Sequence, residues 1–101
     1  MKIHGYVYAV KHACGWGPFD ERLFSTHRGA NAYFNKSLRG LKASEGYVKG
    51  SAHEQKVPDI IDPDTIRKVH FTTGSETNNE NGREYDEQEE EIVITKRVIF
   101  V

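Results

Sequence analysis

His12 and Cys14 are the two residues near the amino terminus whose side chains could bind a metal ion. One residue separates them, and alternate residues of a strand point to the same side. A zinc ion needs three or four protein ligands, but the sequence has no CxxC or HxxxH pair, and the other histidines are scattered: His4, His27, His53 and His70. Cys14 could act as a nucleophile if His12 or His27 approached the thiol as a base. We expect no metal site, no cofactor and no catalytic residue.

The acidic run EYDEQEEE, residues 84–91, is the second feature that could carry a function. In an extended chain its side chains alternate between two sides, Glu84, Asp86, Gln88 and Glu90 on one and Tyr85, Glu87, Glu89 and Glu91 on the other. These charges could keep the following aggregation-prone segment, residues 92–101, soluble. They could instead imitate a nucleic-acid backbone, whose phosphates repeat at about 3.4 Å, and occupy a basic groove on a partner. Both interpretations stay open.

Trp16 lies between two glycines and is therefore sterically free to project from a loop. Such a tryptophan either anchors a partner or folds over the end of a helix as a lid on the core. If the first interpretation holds, a partner protein is bound by the Trp16 loop together with the acidic run. The predicted partner-binding residues are then Trp16, Tyr85, Glu87, Glu89 and Glu90.

The charges of the chain are divided unevenly between its two halves. Residues 1–56 carry a net charge of +5 and residues 57–101 one of −6, which gives −1 in total. The two halves could neutralise each other in the folded protein, or they could form two binding surfaces of opposite sign. The second case gives an alternative function, nucleic-acid binding by the basic half. The residues predicted for it are Lys11, Arg28, Lys36, Arg39 and Lys42.

A helix and a set of strands must position these residues. Residues 3–11 and 21–25 have the composition of strands, and the glycines and proline of residues 13–19 predict a loop between them. Ser25 or Thr26 can cap a helix over residues 26–42, whose apolar stripe is Ala30, Phe34, Leu38 and Leu41. Residues 43–56 show no clear period and are predicted to form a loop. Asp62-Pro63 predicts a single short helical turn.

The last third of the chain predicts a hairpin. Residues 68–73 and 91–101 have strand composition, and Asn81-Gly82 between them favours a two-residue turn. If these two residues form the loop, Glu80 pairs with Arg83, Phe71 with Ile92 and Val69 with Ile94. The apolar side chains of these last two pairs then share one face, as a buried hairpin requires.

These elements predict one α+β domain over residues 1–101, with a polar acidic hairpin arm at about 74–91. We expect a four-stranded, mainly antiparallel sheet with one main helix, about 26–42, packed on one face. Residues 43–66 or a second copy of the protein would cover part of the other face. Residues 98–101 are apolar on both sides of a strand, so this strand is either central or part of a homodimer interface.

Length and composition favour a cytoplasmic protein. No stretch approaches the roughly 18 apolar residues of a membrane span, and the first ten residues lack the apolar core of a signal peptide. The one cysteine rules out an internal disulfide framework. We expect no membrane partner, and the host cytoplasm as the compartment if the protein is phage-encoded.

The stretch VYAVKH, followed by a glycine-rich turn and LFSTHRGANAYF, resembles small phage and bacterial domains of uncharacterised function. In those domains a hairpin ending in Phe-Ser-Thr leads into a helix with an alanine shortly after its start. The likeness covers residues 5–41. It implies a virus-encoded or mobile-element accessory protein and no catalytic residue. We therefore expect a non-catalytic binding module that inhibits or redirects a host protein machine.

Overall fold

The computed structural model describes residues 3–14, 17–56, 62–80 and 82–100. Within them the chain forms β1 (Ile3–Cys14), β2 (Gly17–Phe24), α1 (His27–Lys42), β3 (His53–Gln55), β4 (Thr65–Asn79) and β5 (Gly82–Phe100). The strands form one five-stranded sheet in the order β2-β1-β5-β4-β3, and every pair is antiparallel. This confirms the α+β class with one helix. The expected number of four strands was wrong by one.

The closing strand β5 lies at the centre of the sheet. It pairs with β1 on one side and with β4 on the other. Its β-branched residues Ile92, Val93 and Ile94 are 1%, 7% and 0% exposed, so this segment is covered on both faces. The strand is therefore central over residues 92–94, whereas Val98 and Ile99 lie beyond its pairing with β4 and are 40% and 42% exposed, so the homodimer interface expected there stays a prediction.

Helix α1 begins where the sequence places its cap. Thr26 has extended backbone angles, and its hydroxyl accepts a hydrogen bond from the Gly29 N–H at 3.1 Å. Such a contact satisfies one of the free N–H groups of the first turn. Arg39 and Lys42 lie in the last turn, where the helix dipole favours positive charge. The predicted helix at about 26–42 is confirmed to within one residue.

The core lies between α1 and one face of the sheet, which we call the helix-side face. Ala30 and Phe34 of the helix are fully buried there. They join alternate residues of the three central strands, as the two-residue period of a strand requires. These residues are Val10, Val69, Phe71, Ile92 and Ile94.

The opposite face of the sheet, which we call the open face, carries the intervening residues such as Ala9, Lys11 and Val93. Residues 43–66 were expected to cover part of this face. Two residues of that segment, Tyr47 and Ala52, pack instead against the core on the helix side. Ala9 and Val93 are nevertheless buried on the open face, at 1% and 7% exposed. No described helix is long and apolar enough to cross a membrane.

Three local predictions about loops and turns need correction. Residues 13–19 are not all loop, because β1 extends to Cys14 and β2 begins at Gly17. Residues 53–55, expected in a loop, form the edge strand β3, whose residues are all exposed and therefore show no apolar period. Asp62 does not cap a helix. Its carboxylate accepts from the Asp64 N–H at 2.9 Å and its carbonyl from the Thr65 N–H at 3.1 Å, which closes a turn into β4.

The predicted hairpin register was wrong by two residues. Asn79 pairs with Gly82, so the residues between the last pair are 80 and 81, and Phe71 faces Glu90 instead of Ile92. Gly82, which has a φ of 115°, is the first residue of β5 and not part of the loop. A shift of two residues keeps every side chain on its predicted face, because a strand repeats every two residues. Residue 81 itself lies outside the described residues.

Candidate functional site

The paired strands β4 and β5 continue beyond the rest of the sheet as a two-stranded ribbon. The last β5 residue paired with β1 is Glu90, opposite Cys14. On the other side, β4 is bridged by Tyr47 at Thr73 and by a hydrogen bond from the Gly74 N–H to the Gly46 carbonyl at 2.7 Å. Beyond these points the described residues pair only with each other, out to Asn79 and Gly82. We call residues 75–80 and 82–89 the arm.

The arm gives the molecule its elongated shape, with extents of 61 × 23 × 23 Å. Its β5 strand carries most of the charge. Glu84 and Asp86 point to the helix-side face, Glu87 and Glu89 point to the open face, and all four side chains are exposed. None of these four carboxylates is in an ion pair with a described residue. Apart from Arg83, the charges of the arm are all negative, so the arm is a ribbon of net negative charge whose four β5 carboxylates have no ion-pair partner among the described residues.

Tyr85 lies across a glycine on the open face of the ribbon. A methyl group added at Gly74 would lie 2.1 Å from the Tyr85 hydroxyl, so the ring occupies the space left by the missing side chain. An aromatic ring over a glycine of the neighbouring strand is a known way of stabilising a ribbon. Tyr85 is nevertheless 56% exposed. The arm thus presents an exposed aromatic ring next to Glu87 and Glu89.

Glu90 lies apart from the other predicted partner-binding residues. It is on the helix-side face and only 7% exposed. One carboxylate oxygen lies 2.7 Å from Nε2 of His12, and the other accepts a hydrogen bond from the Thr73 hydroxyl. The His12 ring also packs against Phe71, with the ring centroids 5.8 Å apart. Glu90 therefore joins β1, β4 and β5 at the root of the arm and is not available as a surface contact.

The burial of Glu90 could have been read from the sequence. Its position has the same parity as Ile92 and Ile94, which the apolar pattern already assigned to the buried face. The predicted register placed Glu90 opposite Thr73, whereas the actual register places Gln88 opposite Thr73 and Glu90 opposite Phe71. The contact of Glu90 with His12 could not be predicted from the sequence, because the two residues are 78 apart.

A second carboxylate at the root is held on the open face. Glu91 lies 3.2 Å from the Lys68 ammonium and 3.8 Å from His70 Nε2. Further from the arm on the same face, Arg97 makes a two-pronged contact with Glu21 at 3.0 and 3.2 Å. The acidic run is therefore divided, with residues 90 and 91 held by the fold and residues 84–89 left free.

The basic residues predicted to bind nucleic acid are on two different surfaces. Arg28, Lys36, Arg39 and Lys42 are exposed on α1. Lys11 pairs with Val93 and is on the open face, with the sheet between it and the helix. The structure thus brings four of the five residues together and separates the fifth from them.

Trp16 lies outside the described residues, so the predicted Trp16 loop stays a prediction. Cys14 and His12 share the helix-side face, as their spacing predicts. Among the residues that the structure describes, no group of three His, Cys, Asp or Glu side chains could hold a metal ion.

Three cavities among the described residues touch these regions. One of about 110 Å³ lies between α1 and the sheet and is lined in part by His12, Asp20 and Tyr33, whose hydroxyl donates to Asp20 at 3.2 Å. A second, of about 260 Å³, lies at the root of the arm beside Cys14, Glu90 and Glu91. Both are smaller than the roughly 300–1,000 Å³ of most ligand sites. The third, of about 490 Å³, is a groove on the arm lined by Thr73, Gly74, Ser75, Asp86, Glu87 and Gln88. The largest of these three spaces is therefore on the acidic ribbon.

Comparison with known proteins gives no relative. No protein-family model, no curated protein and no solved structure matches this chain.

Proposed function

We propose that the protein is a non-catalytic binding module that engages a protein partner through its acidic arm. The partner presents a basic groove. In keeping with the resemblance of residues 5–41, the protein is a virus-encoded accessory or inhibitor protein, and the partner belongs to a host protein machine.

The observation that carries this proposal is the ordering of unpaired charge. Glu84, Asp86, Glu87 and Glu89 are on a ribbon that is hydrogen-bonded along its whole length, yet none has a counterion among the described residues. A disordered acidic tail would be sufficient to keep a strand soluble. An ordered ribbon loses little conformational entropy when it binds, and this favours a docking role.

The groove on the arm indicates what the partner contributes. It is lined by Asp86 and Glu87, which point to opposite faces, and the exposed ring of Tyr85 lies over Gly74 on the same face as Glu87. A carboxylate and an aromatic ring on one face attract a guanidinium or ammonium group by charge and by the cation–π interaction. We therefore expect an arginine or lysine of the partner in this groove, with Trp16 as a second contact.

Charge reversal on the arm tests this proposal. The variant Glu87→Lys/Glu89→Lys is expected to lose capture of the partner from a lysate of the native host, read by mass spectrometry of the bound proteins. Both side chains are exposed and unpaired, so the free energy of unfolding should change by no more than about 0.5 kcal/mol. Tyr85→Ala should weaken capture without abolishing it.

The matched control is Glu45→Lys/Asp64→Lys, which makes the same change of charge at exposed positions outside the arm. It should capture the same proteins as the unaltered chain. If the arm variant captures them equally well, the arm is not the binding surface and the proposal fails.

A second candidate function is nucleic-acid binding by α1. It is favoured by the exposure of Arg28, Lys36, Arg39 and Lys42 on a helix that contains no acidic residue. Because Lys11 is on the other side of the sheet, the surface would consist of the helix residues alone.

A mobility-shift titration over a range of salt concentrations tests the second candidate. Four phosphate contacts predict that the logarithm of the binding constant falls against that of the salt concentration with a slope of about −3.6 on duplex DNA. Lys36→Gln should reduce the slope by about one unit, whereas Lys11→Gln should leave it unchanged. Absence of any shift at low salt would rule this function out.

A further inference from the structure

The outer face of α1 is a basic surface without counterions. Arg28, Lys36, Arg39 and Lys42 are exposed, and none of them is in an ion pair with a described residue. From Arg28 to Lys42 the helix rises about 21 Å. The buried stripe of the helix faces the core, so these four residues form the side turned away from the sheet. We call this surface the basic helix face.

The ion pairs within the chain leave this surface and the arm untouched. Arg67 contacts Glu54 and Arg97 contacts Glu21, so cations of the second half of the chain are paired with carboxylates of the first half. Each pair joins a cation of the net negative half to a carboxylate of the net positive half. These pairs therefore leave the four helix cations and the four arm carboxylates without an ion pair among the described residues.

No ion pair between described residues joins the basic helix face to the arm of the same molecule. Helix α1 packs on β1, β2 and β5, where it shares the core with Val10, Ile92 and Ile94. The arm begins beyond Glu90 and continues the sheet along the long axis of a molecule 61 Å in length. A second molecule can therefore offer each surface the counterions that it lacks among the described residues of its own chain.

We propose that the basic helix face docks the arm of a second copy of this chain. The two surfaces are opposite in charge and similar in length, since Glu84 to Glu89 spans about 17 Å of strand. Each copy keeps one free helix face and one free arm, so the contact is head-to-tail and can continue into longer assemblies. This self-association uses helix residues that the proposed partner binding does not use.

The self-association must depend on salt, because it consists of exposed charge pairs. The screening length is about 30 Å at 0.01 M salt and about 3 Å at 1 M. By sedimentation equilibrium at roughly 0.5 mM protein, the average mass at low salt should rise to at least about twice the 11.5 kDa of the chain. At high salt it should return to 11.5 kDa.

Two neutralised variants identify the surfaces. The helix variant is Lys36→Gln/Arg39→Gln/Lys42→Gln, and the arm variant is Glu84→Gln/Glu87→Gln/Glu89→Gln. Each alone should stay at 11.5 kDa at low salt. Mixed in equal amounts, they should form a 1:1 pair and nothing larger, because the arm variant still supplies a basic helix face and the helix variant still supplies an acidic arm.

The control Lys49→Gln removes an exposed cation outside the helix and should associate as the unaltered chain does. The proposal is overturned if the unaltered chain stays at 11.5 kDa at low salt, if either variant alone still associates, or if the mixture does not pair. Association that disappears after nuclease treatment would assign the basic helix face to nucleic acid instead. The helix variant also separates the two proposals, since it should still capture the partner protein through its intact arm.

Discussion

Replacing Glu90 with alanine is expected to lower the free energy of unfolding by about 2–3 kcal/mol. Glu90 is 7% exposed and receives the Thr73 hydroxyl on one oxygen and contacts His12 on the other. The alanine variant leaves a hydroxyl without its acceptor in a buried site and removes a charge-assisted contact, each of which costs stability. Urea denaturation followed by circular dichroism measures the loss.

The control for this change is the neighbouring residue Glu89, which is exposed and on the other face. Glu89→Ala should change the free energy of unfolding by no more than about 0.5 kcal/mol. A double-mutant cycle of His12→Ala and Glu90→Ala should show a coupling of about 1 kcal/mol or more. If Glu89→Ala and Glu90→Ala lowered the free energy of unfolding equally, the buried contacts of Glu90 with His12 and Thr73 would not hold the base of the arm.

Replacing Phe34 with alanine is expected to have a still larger effect, a loss of about 3–5 kcal/mol. Phe34 is fully buried where α1 meets the sheet, and the Arg67 guanidinium lies 4.0 Å from the centre of its ring. The substitution removes both the apolar contacts and this cation–π partner, and it opens a cavity that the rigid sheet cannot close. For a chain of this size the midpoint of thermal unfolding should fall by at least roughly 12 °C.

Phe34→Leu is the matched control, because leucine keeps most of the apolar volume at this position. Its cost should be less than half of that of Phe34→Ala. A fall of under about 1 kcal/mol for Phe34→Ala would contradict the position of this ring in the core.

Helix α1 and the central strands were predictable because their signals are local. A four-residue apolar period, a threonine cap and a run of β-branched residues each act over a few neighbours, and the core cluster uses these same residues. The faces of the hairpin were also predictable, since parity follows from the apolar pattern alone. The prediction of which residues of β5 face the core was therefore correct although the predicted register was wrong.

The edge strand and the root of the arm were not predictable in the same way. Strand β3 is three residues long and exposed, and it forms because β4 offers it a free edge at residues 68–70. The Asn-Gly pair predicted that residues 81 and 82 form the loop. In the structure Asn79 pairs with Gly82, so the last strand pair differs from the one that this signal implies. The contact between His12 and Glu90 joins residues 78 apart in sequence, so only the folded sheet brings them together.

The central claim is that the arm is an ordered ribbon, and the pattern of cross-strand nuclear Overhauser effects in solution tests it most directly. We expect contacts between Thr73 and Gln88 and between Glu76 and Tyr85, in the register of the ribbon. Random-coil chemical shifts over residues 82–89, or contacts that place Thr73 opposite Glu90, would contradict it. The arm would then not be an ordered acidic ribbon, and both binding surfaces that we propose on it would be wrong.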